Sequence, residues 1–234
     1  MTATAIVLTG SITPAVNFVA ISDIAERRKQ YLAALEFYRG FAPVFFLENS
    51  TYDLSTDPDF TMPGVMLRKF SMLPERERGK GYQEFAMMDS WHASEIAPPA
   101  RFLKITGRYR VENVGYLLRE CDAAAPEEML IDRYRRRHVA LTSIFSVSWG
   151  GYPASLRGLY RQMNDAGGVW AEHVFYKALA GKRHVRPFAT ESDMRGISGS
   201  TGQALESPAW KRGVKQVLRR LDAATGATEL RWRG

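Results

Sequence analysis

The stretch RFLKITGRYRV, residues 101 to 111, begins as an apolar run and changes character at Thr106. Short apolar runs of this kind are typical of strands buried in a sheet. This run continues directly into Thr106, Gly107 and Arg108, which are a hydroxyl residue, a flexible glycine and a cation. In open α/β sheets, ligands bind beyond the carboxyl ends of the strands, so an arginine here indicates an anionic ligand. The alternative is a strand-end turn whose arginine pairs with a surface carboxylate such as Glu112.

The segments before this run alternate between short apolar strands and a longer helix. Residues 5–8 predict a first strand and residues 43–47 a second, and each is followed by a loop of small or polar residues. Residues 27–41 carry apolar side chains at helical spacing. Strand, loop, helix and strand in this order predict an α/β fold, with a mostly parallel sheet flanked by helices.

The same patterns extend through the rest of the chain. They predict a short strand at 65–70, helices at 82–93, 114–121, 156–163 and 169–180, and strands at 138–149 and 185–188. We expect one domain over residues 1–202.

Residues 203–234 are expected to form a basic C-terminal helix and tail. From about 208 to 223, large apolar residues fall on one side of a helix and a basic cluster on the other. The helix either packs on the domain or rests on an anionic membrane surface, where Arg219 and Arg220 would meet lipid.

Composition limits the class of protein. A chain of 234 residues with 45% hydrophobic residues can form one substantial core, and its formal charge of +7 favours anionic partners. The single cysteine, Cys121, excludes an internal disulfide and a zinc site built from cysteines. The apolar run at 5–8 is too short for a signal peptide or a spanning helix, so we expect a cytoplasmic protein.

Polar and glycine residues follow several predicted strands, and parallel strands bring such residues to one edge of the sheet. Thr106, Gly107 and Arg108 belong to this set. The other candidates for binding a nucleotide at that edge are Thr9, Gly10, Ser11, Glu48, Asn49, Ser50 and Lys80.

The order of these segments resembles the nucleotide-sugar-binding half of GT-A type glycosyltransferases. The segments are AIVLTGSITP, VFFLENSTYDL, GKGYQEFAMMDSWH and RFLKITGRY. KITGRY, together with WAEHVFYKAL and ISGSTG downstream, is similar to bacterial glycosyltransferases of surface-polysaccharide assembly, such as capsule or lipopolysaccharide O-antigen synthesis. The resemblance covers most of residues 5–202. It implies a GT-A-like fold, a nucleotide-sugar donor, and a glycan or lipid-diphosphate-linked acceptor at the inner face of the membrane.

The sequence departs from that family at one point. Where the fold usually presents metal-binding carboxylates, this chain has Thr106, Gly107 and Arg108. An arginine fork matches phosphate oxygens and always carries charge, so Arg108 can replace the metal that neutralises the diphosphate. We therefore expect no required cofactor and no metal ligands, although a divalent metal is compatible with the donor.

Two downstream motifs complete the predicted site. The resemblance implies a catalytic base at the start of the helix in WAEHVFYKAL, which is Glu172, with His173 beside it to orient substrate. The alternative for Glu172 is a first-turn carboxylate favoured by the helix dipole. GISGSTG, with Ser198, Ser200, Thr201 and the nearby Arg186, suits a loop that closes over phosphates.

The sequence thus predicts a metal-independent glycosyltransferase. A nucleotidyltransferase or sugar-activating enzyme on a similar sheet is one alternative, although such enzymes generally need metal carboxylates. A basic nucleic-acid-binding module is another. We expect no nucleic-acid partner, because no zinc, helix-turn-helix or RNA-binding motif is recognisable.

Overall fold

A mostly parallel seven-stranded sheet forms the centre of the computed structural model, which describes residues 4–13, 22–197, 203–204, 208–224 and 229–230. The strands in these ranges are, in chain order, β1 (Ala5–Gly10), β2 (Val44–Glu48), β3 (Val65–Lys69), β4 (Arg101–Thr106), β5 (Arg110–Val111), β6 (Met129–Leu130), β7 (Arg133–Tyr134), β8 (Val139–Ala140), β9 (Ile144–Ser148), β10 (Val185–Arg186) and β11 (Met194–Arg195). The α-helices are α1 (Ile24–Tyr38), α2 (Lys80–Ser94), α3 (Val114–Ala123), α4 (Tyr152–Ser155), α5 (Ala171–Leu179) and α6 (Ala209–Ala224).

The main sheet has the strand order β10-β6-β9-β4-β1-β2-β3. Strand β9 runs antiparallel to both of its neighbours, and the other paired strands are parallel. Thr9 of β1 pairs with Thr106 of β4, and Gly10 pairs with Glu48 of β2, so these three strands end at the same edge. The predicted fold class, a mostly parallel α/β sheet flanked by helices, is confirmed.

The core lies on both faces of the sheet because residues of a strand alternate between faces. In β1, Val7 points to one face and Ile6 and Leu8 to the other. The first face packs on α2 and α5, and the second on α1 and α3. Covering both faces leaves the carboxyl edge of β1, β2 and β4 as a crevice that is open to a ligand.

Two predicted elements are divided in the structure. Residues 138–149 form β8 and β9, because the intervening turn directs Val139 and Ala140 to pair with β7 instead of the main sheet. Residues 156–163 do not form an α-helix. Gly158 takes a left-handed conformation (φ 80°) after α4, and a 3-10 helix, Leu159–Gln162, follows it.

The C-terminal helix α6 packs against the domain through its polar side. Arg219 is buried and donates hydrogen bonds to Asp132 and to the carboxylate of Glu191. Gln216 accepts a hydrogen bond from the Glu191 amide and donates one to the carbonyl of Ala189. The prediction that Arg219 meets lipid is therefore wrong, because tertiary contacts bury its guanidinium between carboxylates. In the described part of the chain no helix is both long enough and apolar enough to cross a bilayer.

Candidate active site

An open pocket lies beyond the carboxyl ends of β1 and β4. Its walls come from the strand ends, from α1, from the start of α2 and from the loop that follows β4. The lining residues are Thr9, Gly10, Ser11, Arg27, Tyr31, Asn49, Met72, Lys80, Gln83, Glu84, Met87, Thr106 and Arg108. Of the predicted set, the pocket thus brings together Thr9, Gly10, Ser11, Asn49, Lys80, Thr106 and Arg108.

Two glycines allow the strand ends to approach each other closely. A Cβ atom at Gly107 would lie 2.7 Å from the carbonyl oxygen of Thr9, to which the Gly107 amide donates a 2.9 Å hydrogen bond. A Cβ atom at Gly10 would lie 2.6 Å from the ring of Phe46. Gly107 therefore serves the contact between β4 and β1 and lies outside the pocket lining.

Three cations surround this pocket: Arg27, Lys80 and Arg108. Burial lowers the pKa of Arg27, and the nearby charge of Arg108 lowers it further. Burial also lowers the pKa of Lys80, where Arg108 acts in the same direction, although Asp165, Glu84 and Glu172 oppose the shift. Like charges held together at a low-dielectric surface repel, so a bound anion would be favoured here.

Arg108 is 9% exposed, and its Nη1 donates a 3.1 Å hydrogen bond to Oε1 of Gln30. Within the described ranges it forms no ion pair, and its pairing with Glu112 is not found, because Arg110 takes that carboxylate at 3.4 Å. A guanidinium has five N–H donors, so most of its capacity remains for a ligand.

Lys80 begins α2, and its position depends on a carboxylate from another loop. Asp165 accepts a hydrogen bond of 3.4 Å from the amide of Gly81, at the first turn of α2. Gly79 has φ 95°, and a Cβ atom there would lie 2.3 Å from Oδ2 of Asp165, so this turn requires glycine. Burial raises the pKa of Asp165. The loop at 164–168 therefore fixes the end of the helix that presents Lys80.

A buried lysine, Lys104, contacts two of the residues that line the pocket, Glu84 and Thr106. Lys104 is fully buried in β4, and its Nζ contacts the carboxylate of Glu84 at 2.6 Å and the carbonyl of Thr142 at 2.9 Å. It also donates to Oγ1 of Thr106 at 3.2 Å, while Oγ1 of Thr9 donates to Glu84. The hydroxyls of Thr9 and Thr106 are thereby held in place by an internal ion pair.

The sequence analysis missed Lys104, Glu84 and Arg27, although each had a sequence signal. A lysine within an apolar strand must find a buried partner. Glu84 follows Lys80 by one helical turn, so the two share a face of α2. Arg27 and Tyr31 are related in the same way on α1, and Arg27 donates 2.9 Å and 3.0 Å hydrogen bonds to the carbonyls of Ser11 and Ile12.

Of the polar cluster after β2, only Asn49 lines the pocket, where its Nδ2 donates to the carbonyl of Gln83 at 3.3 Å. Glu48 is fully buried, accepts hydrogen bonds of 3.0 Å from the amides of Ile12 and Ser50, and pairs with Lys69. The hydroxyl of Ser50 accepts a hydrogen bond from the amide of Thr13. The prediction that Glu48 and Ser50 bind the nucleotide is wrong in this arrangement, because their polar groups hold the two loops together.

Glu172 lies in the first turn of α5, as predicted, and is half-buried. Its Oε1 accepts a 3.3 Å hydrogen bond from the hydroxyl of Thr142, whose carbonyl binds Lys104. Glu172 is outside the pocket lining but near enough to Lys80 to oppose the effect of burial on its pKa. His173 stacks on Trp170, with ring centroids 5.4 Å apart, and likewise lies outside the pocket lining. Glu172 is therefore linked to the pocket-lining Glu84 through Thr142 and Lys104.

Arg186 does not reach the pocket. It belongs to β10 at the edge of the sheet, and its Nε donates a 2.9 Å hydrogen bond to Glu128, which lies at the opposite end of the strands. The structure therefore does not bring Arg186 to this pocket, where it was predicted to bind phosphate, because its guanidinium is held by Glu128 at the other end of the strands. Ser198, Ser200 and Thr201 lie outside the described residues.

The donors at this edge do not fit a divalent metal ion. Mg²⁺ and Mn²⁺ prefer carboxylate and carbonyl oxygens. Glu84 is the one carboxylate that lines the pocket, and Lys104 already pairs with it. Among the described residues, no group of three or more His, Cys, Asp or Glu side chains is arranged to hold a metal. The charge that the described residues present at the strand end after β4 is that of Arg108.

No family model matches this chain, and no curated protein sequence matches it. Several solved structures match it at low sequence identity. A galactosyltransferase, LgtC, in complex with donor and acceptor sugar analogues has a TM-score of 0.48 and 8% identity over 74% of this chain and 69% of that chain. A putative glucose-1-phosphate thymidylyltransferase from Bacillus anthracis has a TM-score of 0.49 and 10% identity over 91% and 94%.

A putative nucleotide-diphospho-sugar transferase from Desulfovibrio desulfuricans has a TM-score of 0.45 and 11% identity, over 80% of each chain. At these identities and TM-scores below 0.5, the likenesses support no conclusion about activity.

Proposed function

We propose that this protein is a glycosyltransferase that moves a sugar from a nucleotide-sugar donor to a glycan or lipid-diphosphate-linked acceptor. The observation that carries the proposal is the buried Arg108, which has a neutral amide as partner and lies near Arg27 and Lys80 at the carboxyl edge of the sheet. Three clustered cations at this pocket suit a diphosphate.

Each cation has a separate task in this proposal. Arg108 faces the diphosphate with the donors that Gln30 leaves available, and stabilises the negative charge that develops on the leaving phosphate. Lys80 supplies a second charge from α2. Arg27 holds the carbonyls of Ser11 and Ile12, and so positions the loop after β1 around the nucleotide.

Glu172 is proposed as the general base. Transfer forms a bond between the acceptor oxygen and the anomeric carbon, breaks the bond from that carbon to the phosphate oxygen, and releases the nucleoside diphosphate. The acceptor proton passes to the carboxylate of Glu172, which is linked to the pocket through Thr142 and Lys104. Thr142 orients this carboxylate by its 3.3 Å hydrogen bond.

The motif resemblance of KITGRY, WAEHVFYKAL and ISGSTG supports bacterial surface-polysaccharide assembly as the setting of the reaction. A diphosphate-linked acceptor would add a second anionic group for a chain of charge +7. The reaction is proposed to need no metal, because the donors at the strand end fit phosphate better than a cation.

A thermal-shift panel of nucleoside diphosphates and nucleotide sugars tests this proposal, with chelator and with added magnesium or manganese. A ligand that binds the folded state raises its stability in proportion to occupancy. We expect at least one nucleotide sugar and its nucleoside diphosphate to raise the Tm in chelator. Arg108→Ala should abolish the shift, whereas Arg110→Ala, an exposed arginine on the same segment, should preserve it.

Two outcomes would contradict the proposal. An equal ligand-induced rise in Tm for wild type and Arg108→Ala would show that Arg108 does not contribute to donor binding. Consumption of a nucleoside triphosphate and a sugar phosphate with release of pyrophosphate would instead identify a nucleotidyltransferase, the alternative chemistry for a pocket that binds nucleotides.

A further inference from the structure

Helix α6 presents its apolar side to solvent. Trp210 is 68% exposed, Val214 53%, Val217 56% and Leu221 59%. The four residues follow one another at intervals of four, three and four, so they form one continuous row along the helix. We call this row the α6 stripe. Contiguous exposed apolar patches usually mark an interaction surface.

The polar side of the same helix is fixed to the domain, so the α6 stripe cannot turn inward without breaking ion pairs. Arg219 is held between Asp132 and Glu191 and is nearly fully buried. Lys215 reaches Glu191 at 3.4 Å, and Arg212 reaches Asp193 at 3.2 Å. Removing one partner of a buried ion pair leaves an uncompensated charge, which is strongly unfavourable.

Cations border the α6 stripe on both sides. At 100° per residue, Lys211 and Arg220 lie about 90° to either side of the row, and both are exposed. The Nζ of Lys211 lies 5.5 Å from the ring centroid of Trp210. The acidic residue of α6, Asp222, is buried on the domain side. The outward half of the helix is therefore apolar at its centre, positive at its margins and without a carboxylate.

We propose that the α6 stripe is a docking surface for an anionic lipid bilayer. A helix lying in a membrane interface inserts its apolar side below the headgroups while lysines and arginines at its margins reach the phosphates. The arrangement of Trp210, Lys211 and Arg220 matches that geometry. The polar face, which such a helix normally turns to water, is here bound to the protein and so fixes the orientation of the domain on the membrane.

A second copy of this chain fits the α6 stripe less well. Each copy carries a formal charge of +7, and pairing two stripes would bring the marginal cations of both helices together. Juxtaposed like charges oppose such an interface. An anionic bilayer instead neutralises Lys211 and Arg220 while it covers the apolar row. Charge complementarity therefore selects lipid as the occupant.

The test is co-sedimentation of the full chain with vesicles of phosphatidylcholine alone, and with vesicles that also contain 30% (about one lipid in three) phosphatidylglycerol. We expect binding to the anionic vesicles only. Val217→Glu places a charge at the centre of the α6 stripe and should reduce partitioning at least about tenfold. Ile96→Glu is the matched control, because Ile96 is 95% exposed in the loop after α2, away from the α6 stripe. This variant should bind the vesicles as wild type does.

Charge at the margins is tested separately. Lys211→Gln with Arg220→Gln should weaken binding roughly 30-fold at low salt. Lys29→Gln with Lys177→Gln removes two exposed charges elsewhere and should have little effect. Trp210→Ala provides a second apolar variant if Val217→Glu fails to fold, as judged by circular dichroism.

Three results would overturn the proposal: no binding of wild type to anionic vesicles, unchanged binding of folded stripe variants, or a concentration-dependent dimer that Val217→Glu abolishes without any lipid binding. The assay contains no nucleotide sugar and no acceptor. Its failure is therefore independent of the failure of the proposed enzymatic function.

Discussion

Replacement of Arg108 separates a phosphate-binding role from a structural one. Among the described residues its guanidinium makes one hydrogen bond, to Gln30, and it lies near two other cations. A hydrogen bond to a charged group contributes roughly 1.5–3 kcal/mol, and loss of repulsion on removing the charge offsets part of that. We expect Arg108→Ala to lower the free energy of unfolding by no more than about 2 kcal/mol.

The expected loss in ligand binding is larger. A bidentate contact consists of two charge-assisted hydrogen bonds, at roughly 1.5–3 kcal/mol each, so Arg108→Ala should weaken nucleoside diphosphate binding by about 3–6 kcal/mol. That corresponds to roughly a hundredfold to ten-thousandfold in Kd. Arg108→Lys keeps the charge and loses the planar fork, so it should recover part of the affinity.

Isothermal titration calorimetry in chelator measures these affinities, and denaturant unfolding of the same samples measures stability. A loss of stability that equals or exceeds the loss of binding energy would refute the role of Arg108 in phosphate binding. So would wild-type binding that chelator abolishes and added magnesium restores, since the charge would then come from an ion.

Three further outcomes follow from the structure. Glu172→Gln should keep donor binding while the turnover falls by roughly two to four orders of magnitude, and near-normal turnover would remove this residue from the mechanism. Burial lowers the pKa of Lys80, so this side chain should lose its proton, and diphosphate affinity should fall, at a pH below the usual pKa of lysine. Lys80→Arg should keep its affinity at that pH, because arginine stays charged. Identical pH profiles of affinity for the two proteins would contradict this. Arg28 holds the pKa of Asp57 at about 2, below its unfolded value of about 3.9, so the stability from this pair should be present above pH 4 and lost as the pH falls towards 2. Asp57→Asn should reduce that acid dependence, and an unchanged unfolding curve across this window would argue against it.

The sequence predicted which residues line the pocket where neighbouring strands alone determine their position. Thr9 and Thr106 come directly from parallel strands, and parallel strands necessarily end at the same edge. Lys80 was predicted because it lies between two glycines, Gly79 and Gly81, at the start of a helix. Glu48 was assigned wrongly because its strand-end position does not reveal burial. Its carboxylate turns inward to the amides of Ile12 and Ser50, which only the packed loops bring within reach.

The sequence by itself determined the alternation of strands and helices, the mostly parallel sheet and the amphipathic character of α6, because periodicity and turn residues act over a few positions. Only the tertiary structure decided which side of α6 faces the protein. Arg219 pairs with Asp132 and Glu191, which come from distant segments of the chain. The burial of these ion pairs holds the polar side of α6 against the protein. For the same reason only the fold could place Arg27, Lys80 and Arg108 around one pocket. Local pattern specifies elements, whereas charge pairing across the chain specifies which of their faces meet.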